Sequence, residues 1–381
     1  MAGRWISLLS IILLGCGLSE KCLGQNTVSG TCAAFAADGA LATGTLRGDD
    51  LETKLDQRGV ALVTTHADIR GLPQRCEEAF SADGRWLATV TPGSELTVVI
   101  LDRKTGSIHK RFSSQWFQLR DIPMEPAYRS SFLEGFLQDD SVVLWRYVPL
   151  AVANTADASH VDLHLQRWSV EGELLSDQNL GSVGFGPGGR QPIAFNGLGL
   201  LWIPGKCEVA CYRGLRISAT QIAEAGTLKL PDKNAAEPVA LLGNEGLLTV
   251  LGDTAQKAAL LDSSGRLQAQ VDLPFFPNLF GPLVPDWFHV LKPAVSHDGA
   301  IAAIGRTRVA WVLVDSDRDW GSEIVLLRMH PLAVTAKVKT GKGGIGAVAV
   351  DHRNGIVRLV GFWKGRWHDV QCDERHPAKC R

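Results

Sequence analysis

Three carboxylates at alternate positions are the first chemistry the chain offers. Asp315, Asp317 and Asp319 stand in Asp315-Ser316-Asp317-Arg318-Asp319-Trp320-Gly321. Oxygen ligands at that spacing on a loop can gather around calcium. The twelve-residue calcium loop needs glycine sixth for its bend and a bidentate glutamate twelfth. Here Trp320 is sixth, Leu326 is twelfth, and the positive Arg318 sits inside. Two readings stay open: a calcium site, or a solvated turn between strands. The second fits the residues better, so no cofactor is expected.

Other chemistry-bearing strings are thinner. Gly341-Lys342-Gly343-Gly344-Ile345-Gly346 matches the glycine spacing of a dinucleotide-binding turn, but such a turn must open a helix whose N-terminus holds the pyrophosphate. Ala347-Val348-Ala349-Val350 follows instead, a strand pattern. His160 and His164, placed on a strand, would share a face about 13 Å apart, too far for one metal ion. No Gly-x-Ser-x-Gly or His-Glu-x-x-His string occurs. A catalytic site would have to be assembled from separate segments, and Asp38, Asp83, Asp298 and Asp351, each beside a turn signal, are the first carboxylates to consider.

Residues 273–293 offer binding rather than catalysis. The stretch sets Pro274, Pro277, Pro282, Pro285 and Pro293 among Phe275, Phe276, Phe280, Trp287 and Phe288. Prolines hold a connection extended, and aromatics supply contact area at small entropic cost. Exposed, Phe275, Phe276, Phe280 and Trp287 would form a ligand-binding surface; folded back, they would cap sheet edges. Residues 113–128, with Trp116, Phe117 and Pro123, pose the same choice.

The elements that must position these residues show a repeat. Ala34-Phe35, Ala79-Phe80, Gly135-Phe136, Ala194-Phe195, Ala240-Leu241, Ala294-Val295 and Ala349-Val350 each pair a small residue with an apolar one before a turn signal. They recur about every 52 residues, the length of one four-stranded propeller blade. The second unit is the clearest. Ser81-Ala82-Asp83-Gly84 supplies a tight turn, strands are expected over 86–90, 96–101 and 107–112, and Thr105-Gly106 closes the outer hairpin. A small residue on each innermost strand lets backbones converge on a central channel.

The Ser-x-Asp-Gly-x-x-Leu-Ala register resembles the blade motif of WD-repeat-like and YVTN-type β-propellers. It recurs as Ala36-Ala37-Asp38-Gly39 and Ser296-His297-Asp298-Gly299, and decays to Gln138-Asp139-Asp140, Asn196-Gly197, Gly243-Asn244-Glu245-Gly246 and Arg353-Asn354-Gly355. The likeness spans nearly the whole chain after residue 24 and speaks to architecture alone. The Trp-Asp dipeptide of true WD repeats is absent. The last unit is short, so residues 25–30 are expected to supply its fourth strand and close the ring.

The fold class expected is therefore all-β: a single propeller over 25–381, with seven four-stranded blades closed by the N- and C-terminal segments. Residues 1–24 read as a signal peptide, with Arg4 ahead of the apolar run 5–18. Cleavage after Gly24 leaves six cysteines; the alternative, a lipoprotein anchored through Cys16, leaves an odd thiol. Cys32–Cys76, Cys207–Cys211 and Cys372–Cys380 are the pairings expected in an oxidising, secreted or periplasmic setting. No later run is long enough to span a membrane. Charge is balanced, 39 basic residues against 40 acidic, so no nucleic-acid partner is expected. The reading reached is a monomeric, non-enzymatic binding or scaffold protein for a protein, peptide or glycan. The alternative is a lactonase-like propeller hydrolase, metal-assisted or not, with its site at the channel mouth.

Overall fold

The computed structural model describes residues 30–47, 50–55, 77–91, 96–114, 131–149, 160–184, 194–195, 199–204, 211–218, 221–229, 236–241, 246–251, 256–275, 286–291, 293–312, 315–341, 343–373 and 380. Their only regular elements are strands, arranged as seven small antiparallel sheets in chain order. The second sheet shows the unit. Glu78–Phe80, Trp86–Thr91, Leu96–Asp102 and Ser107–Ser114 pair in sequence as a meander.

The turn chemistry explains the repeated motif. Ser81 Oγ donates to Asp83 Oδ1 at 2.6 Å, Asp83 Oδ1 accepts the Arg85 amide at 2.9 Å, and Ser81 Oγ accepts the Trp86 amide at 2.9 Å. The sixth sheet repeats this with Ser296, Asp298 and the Ile301 amide. Serine and aspartate thus satisfy donors that the reversal takes off the ladder.

All seven small-apolar pairs lie on the first strand of a sheet: Thr31–Phe35, Glu78–Phe80, Ser131–Phe136, Ala194–Phe195, Ala236–Leu241, Ala294–Val295 and Ile345–Arg353. First strands of the first and second, second and third, fourth and fifth, and sixth and seventh sheets lie against each other, as do those of the seventh and first. The third and fourth sheets share an apolar cluster around Trp145, Leu163, Leu201 and Ile203. This adjacency is consistent with a propeller. It also explains the burial. Second and third strands are covered on both faces, so Val98 to Leu101 and Leu247 to Val250 are fully buried without alternation. Most of Ser107–Ser114, the fourth strand of its sheet, is exposed.

Strand number departs from a uniform four. The first and seventh sheets have three described strands and the sixth has five. In the seventh, Ile345–Arg353, Ile356–Trp363 and Arg366–Asp373 occupy the three positions expected; residues 25–29 fall outside the described set. The first and seventh sheets still meet. Trp367 Nε1 donates to Thr45 Oγ1 at 3.0 Å, and Arg353 Nη2 donates to the Ala37 carbonyl.

The sixth sheet differs because its first strand is split. Asp286–Val290 and Ala294–Val295 pair with opposite halves of Ile301–Val312, either side of Pro293, which has no amide for the ladder. Residues 286–290 are therefore strand, not the irregular connection expected; Trp287, Phe288 and Val290 have the aromatic and β-branched character that favours this. Asp315–Met329 is also a strand, pairing from Val312↔Asp315 onward. Asp315, Asp317 and Asp319 thus lie on extended backbone rather than on a loop.

Cys372 and Cys380 are joined by a disulfide, and Cys32 is disulfide-bonded. Cys76, Cys207 and residues 1–24 with Cys16 lie outside the described residues. Among the described residues no helix is long and apolar enough to cross a membrane. Packing is tightest behind Gly199. Its φ is +88°, and a Cβ there would lie 2.2 Å from the Ile217 carbonyl oxygen. Gly199→Ala is expected to lose more than about 1 kcal/mol, read as a lowered denaturation midpoint at unchanged m-value.

Candidate functional site

The sheets present two ends. One carries the Asp-Gly turns; at the other the fourth strand of each sheet finishes and the chain departs for the next. At this second end, between the fifth and sixth sheets, an exposed aromatic stands on a fixed base. Leu267–Asp272 ends the fifth sheet. Leu273 is buried and its amide donates to the Gln256 carbonyl at 2.6 Å, whereas Phe275, two residues on, is 77% exposed. The Pro274 carbonyl between them accepts from Arg306 Nη2.

Arg306 belongs to a buried ionic network of the sixth sheet. Ala302 and Ile304 face the fifth sheet, and strand alternation places Arg306 on the same face. Arg306 is 1% exposed and its cross-strand partner Glu323 is 2% exposed. Arg306 Nε donates to Glu323 Oε1 at 2.8 Å, and Lys337 Nζ lies 2.5 Å from Glu323 Oε2. A planar guanidinium can serve carboxylate and carbonyl together, which a lysine ammonium does with less geometric control. The result is an apolar ring held out from a root fixed by Leu273 and Arg306.

The other expected binding residues are only partly placed. Trp287 lies on Asp286–Val290 opposite Val309. Phe276 and Phe280 fall outside the described residues.

The turn carboxylates are engaged locally and do not meet as a set. Burial disfavours the Asp38 carboxylate, but hydrogen bonds from Arg103 and the Ala40 amide outweigh it and its pKa falls. Arg103 also reaches the Gly84 carbonyl at 3.0 Å, tying the first sheet to the second. Hydrogen bonds from Ser81 and the Arg85 amide lower Asp83. Asp298 is lowered because bonds from Ser296 and His352 exceed the burial that opposes them; His352 Nδ1 lies 2.7 Å away across the sixth and seventh sheets. Asp351 accepts from Arg353 Nε at 2.9 Å. Among the described residues no group of three or more His, Cys, Asp or Glu is placed to hold a metal ion.

No protein-family model matches the chain, and no curated protein matches it. The chain is similar to the solved structure of U3-55K, at 14% identity over 94% of this chain and 95% of that chain, with a TM-score of 0.48.

Two groups escape a reading of the sequence. Arg306-Thr307-Arg308 reads as a polar edge, yet all three are buried. Glu78 reads as a solvated neighbour of Glu77, yet it faces the first sheet. Its Oε1 accepts from Thr53 Oγ1 at 3.1 Å, while Oε2 is shut off from solvent without a partner. Burial pushes this carboxyl up to about 8, against the lowering effect of Thr53. The only signal for either was a charge set within an otherwise apolar strand pattern.

Proposed function

We propose that the chain is an exported seven-bladed β-propeller, closed by its terminal segments, that binds a protein, peptide or glycan through the aromatic connection between its fifth and sixth blades. The observation that carries this reading is Phe275, exposed immediately beyond a buried leucine and a carbonyl held by the ionic network. A rigid aromatic anchor loses little entropy on binding and is the residue type that dominates interface energies. Export is supported by the apolar N-terminal run and by cysteines that pair.

A photo-reactive phenylalanine analogue at position 275 of the exported chain is expected to yield a discrete crosslinked adduct. The same analogue at Ile356, 49% exposed beside the Asn354-Gly355 turn at the other end, serves as control and is expected to yield none. Phe275→Ala should weaken the captured partner at least tenfold. Equal crosslinking at both positions, or an unchanged affinity in Phe275→Ala, would remove this surface from consideration.

A further inference from the structure

The first strand of the seventh sheet, Ile345–Arg353, ends in two basic residues that reach opposite ways. Val348 and Val350 pack toward the sixth sheet, so strand alternation puts His352 on that face and Asp351 and Arg353 on the other. His352 Nδ1 lies 2.7 Å from Oδ2 of Asp298, in the first turn of the sixth sheet. Arg353 Nη2 donates to the Ala37 carbonyl of the first sheet, and its Nε donates to Asp351 Oδ2 at 2.9 Å. Adjacent residues thus join the seventh sheet to both its neighbours. The guanidinium keeps its charge at every accessible pH, whereas an imidazole gains or loses its charge near neutrality.

Asp298 is fixed by its own turn. Its Oδ1 accepts from Ser296 Oγ at 2.6 Å and from the Ala300 amide at 3.1 Å, while Oδ2 faces the His352 ring. The His352 side chain is only 14% exposed, which limits screening of the pair by salt. Other groups oppose a positive charge there. Arg328 lies opposite Ile301 and shares its face toward the seventh sheet. Arg328 and His297 are exposed at this rim, and His330 stands farther out, at the hairpin before Leu332. Within its own sheet His352 is opposite Val357, and Asp38 of the first sheet feels Arg353, on the other face. A carboxylate at hydrogen-bond distance outweighs exposed cations whose field water screens.

We propose that His352 is a proton-operated clamp on the rim between the sixth and seventh sheets. Protonated, it holds Asp298 by charge as well as by a hydrogen bond; neutral, it keeps only the hydrogen bond. Ile301, Ala303, Val350 and Leu359 hold the two sheets together beneath it at any pH. The proton therefore controls a local event, the lifting of the turn 296–301 from the seventh sheet. Arg353 leaves the contact with the first sheet indifferent to pH. Linkage sets the sign. The closed rim binds the proton more tightly than the open one, so the grip is full below about pH 6.5, the ordinary imidazole midpoint. It is lost as pH rises through the higher midpoint of the closed rim.

The full chain, labelled with ¹³C-histidine, should be titrated by NMR at low ionic strength, with His352→Gln assigning the signal. His352 is expected to bind its proton about threefold more tightly than in Asp298→Asn, which keeps an acceptor for Ser296 and Ala300 but carries no charge. The Ala300 amide, held by the same carboxylate, reports the turn. Corrected for intrinsic chemistry, its exchange should be about threefold slower at about pH 5.5 than at about pH 8. In His352→Gln, which keeps a donor, that difference should vanish. Equal proton affinity of His352 in wild type and Asp298→Asn, or the same pH dependence of Ala300 exchange in His352→Gln, overturns the proposal.

Discussion

Glu78→Gln stabilises the folded chain at pH 8 by on the order of 3 kcal/mol and flattens its stability profile below that pH. The sign follows from the buried carboxyl. Its folded pKa is raised to about 8 from an ordinary 4.5, so folding takes up a proton between those values. The contribution of the neutral acid is fully present below pH 4.5, falls by about 1.4 kcal/mol per pH unit above it, and is lost once pH passes 8. Thr53 and Thr89, both fully buried, offer hydroxyls but no positive charge to hold the ionised form. Glutamine keeps the shape and the acceptor for Thr53, and never ionises. Urea denaturation of both proteins from pH 4 to 9 checks it. Parallel profiles would mean that Glu78 ionises without penalty.

Arg306→Met is expected to cost about 3–5 kcal/mol, because it leaves Glu323 buried with one of its two cations. The double variant Arg306→Met with Glu323→Met should recover most of that loss: the pair is removed together, and Lys337, 26% exposed, can turn its ammonium to water. The Pro274 carbonyl loses its donor in both variants. Amide exchange at Leu273, whose N–H donates to the Gln256 carbonyl, should therefore accelerate even where global stability is restored, while exchange at Val98, in the second sheet, stays slow. Unchanged exchange at Leu273 in the double variant would show that the aromatic connection is held by something other than Arg306.

Local rules made much of this fold legible. The seven small-apolar pairs found the seven first strands, since each needs only a turn and an apolar run nearby. Ser81-Ala82-Asp83-Gly84 named its own turn because the serine and aspartate bonds are made within five residues. What failed was long-range. Asp315 to Asp319 looked like a loop because alternating charge is usual there, but pairing with Ile301–Val312 extends the hairpin through them. Residues 286–290 looked irregular because prolines flank them. Glu78 and Arg306 were invisible for another reason: a charged residue's burial depends on which sheet covers it, and that sheet is tens of residues away.

The contact between the first and seventh sheets has a consequence for how the chain assembles. Trp367 and Thr45 are 322 residues apart, whereas Asp38–Arg103 and Asp298–His352, at other junctions, span 65 and 54. Loop closure over the longer distance costs about 1.5 kcal/mol more. Neighbouring sheets can therefore dock as each is completed, but the two ends of the chain must wait for everything between them. Of these three contacts, the meeting of Trp367 with Thr45 adds most to the contact order of the chain and carries the largest closure cost.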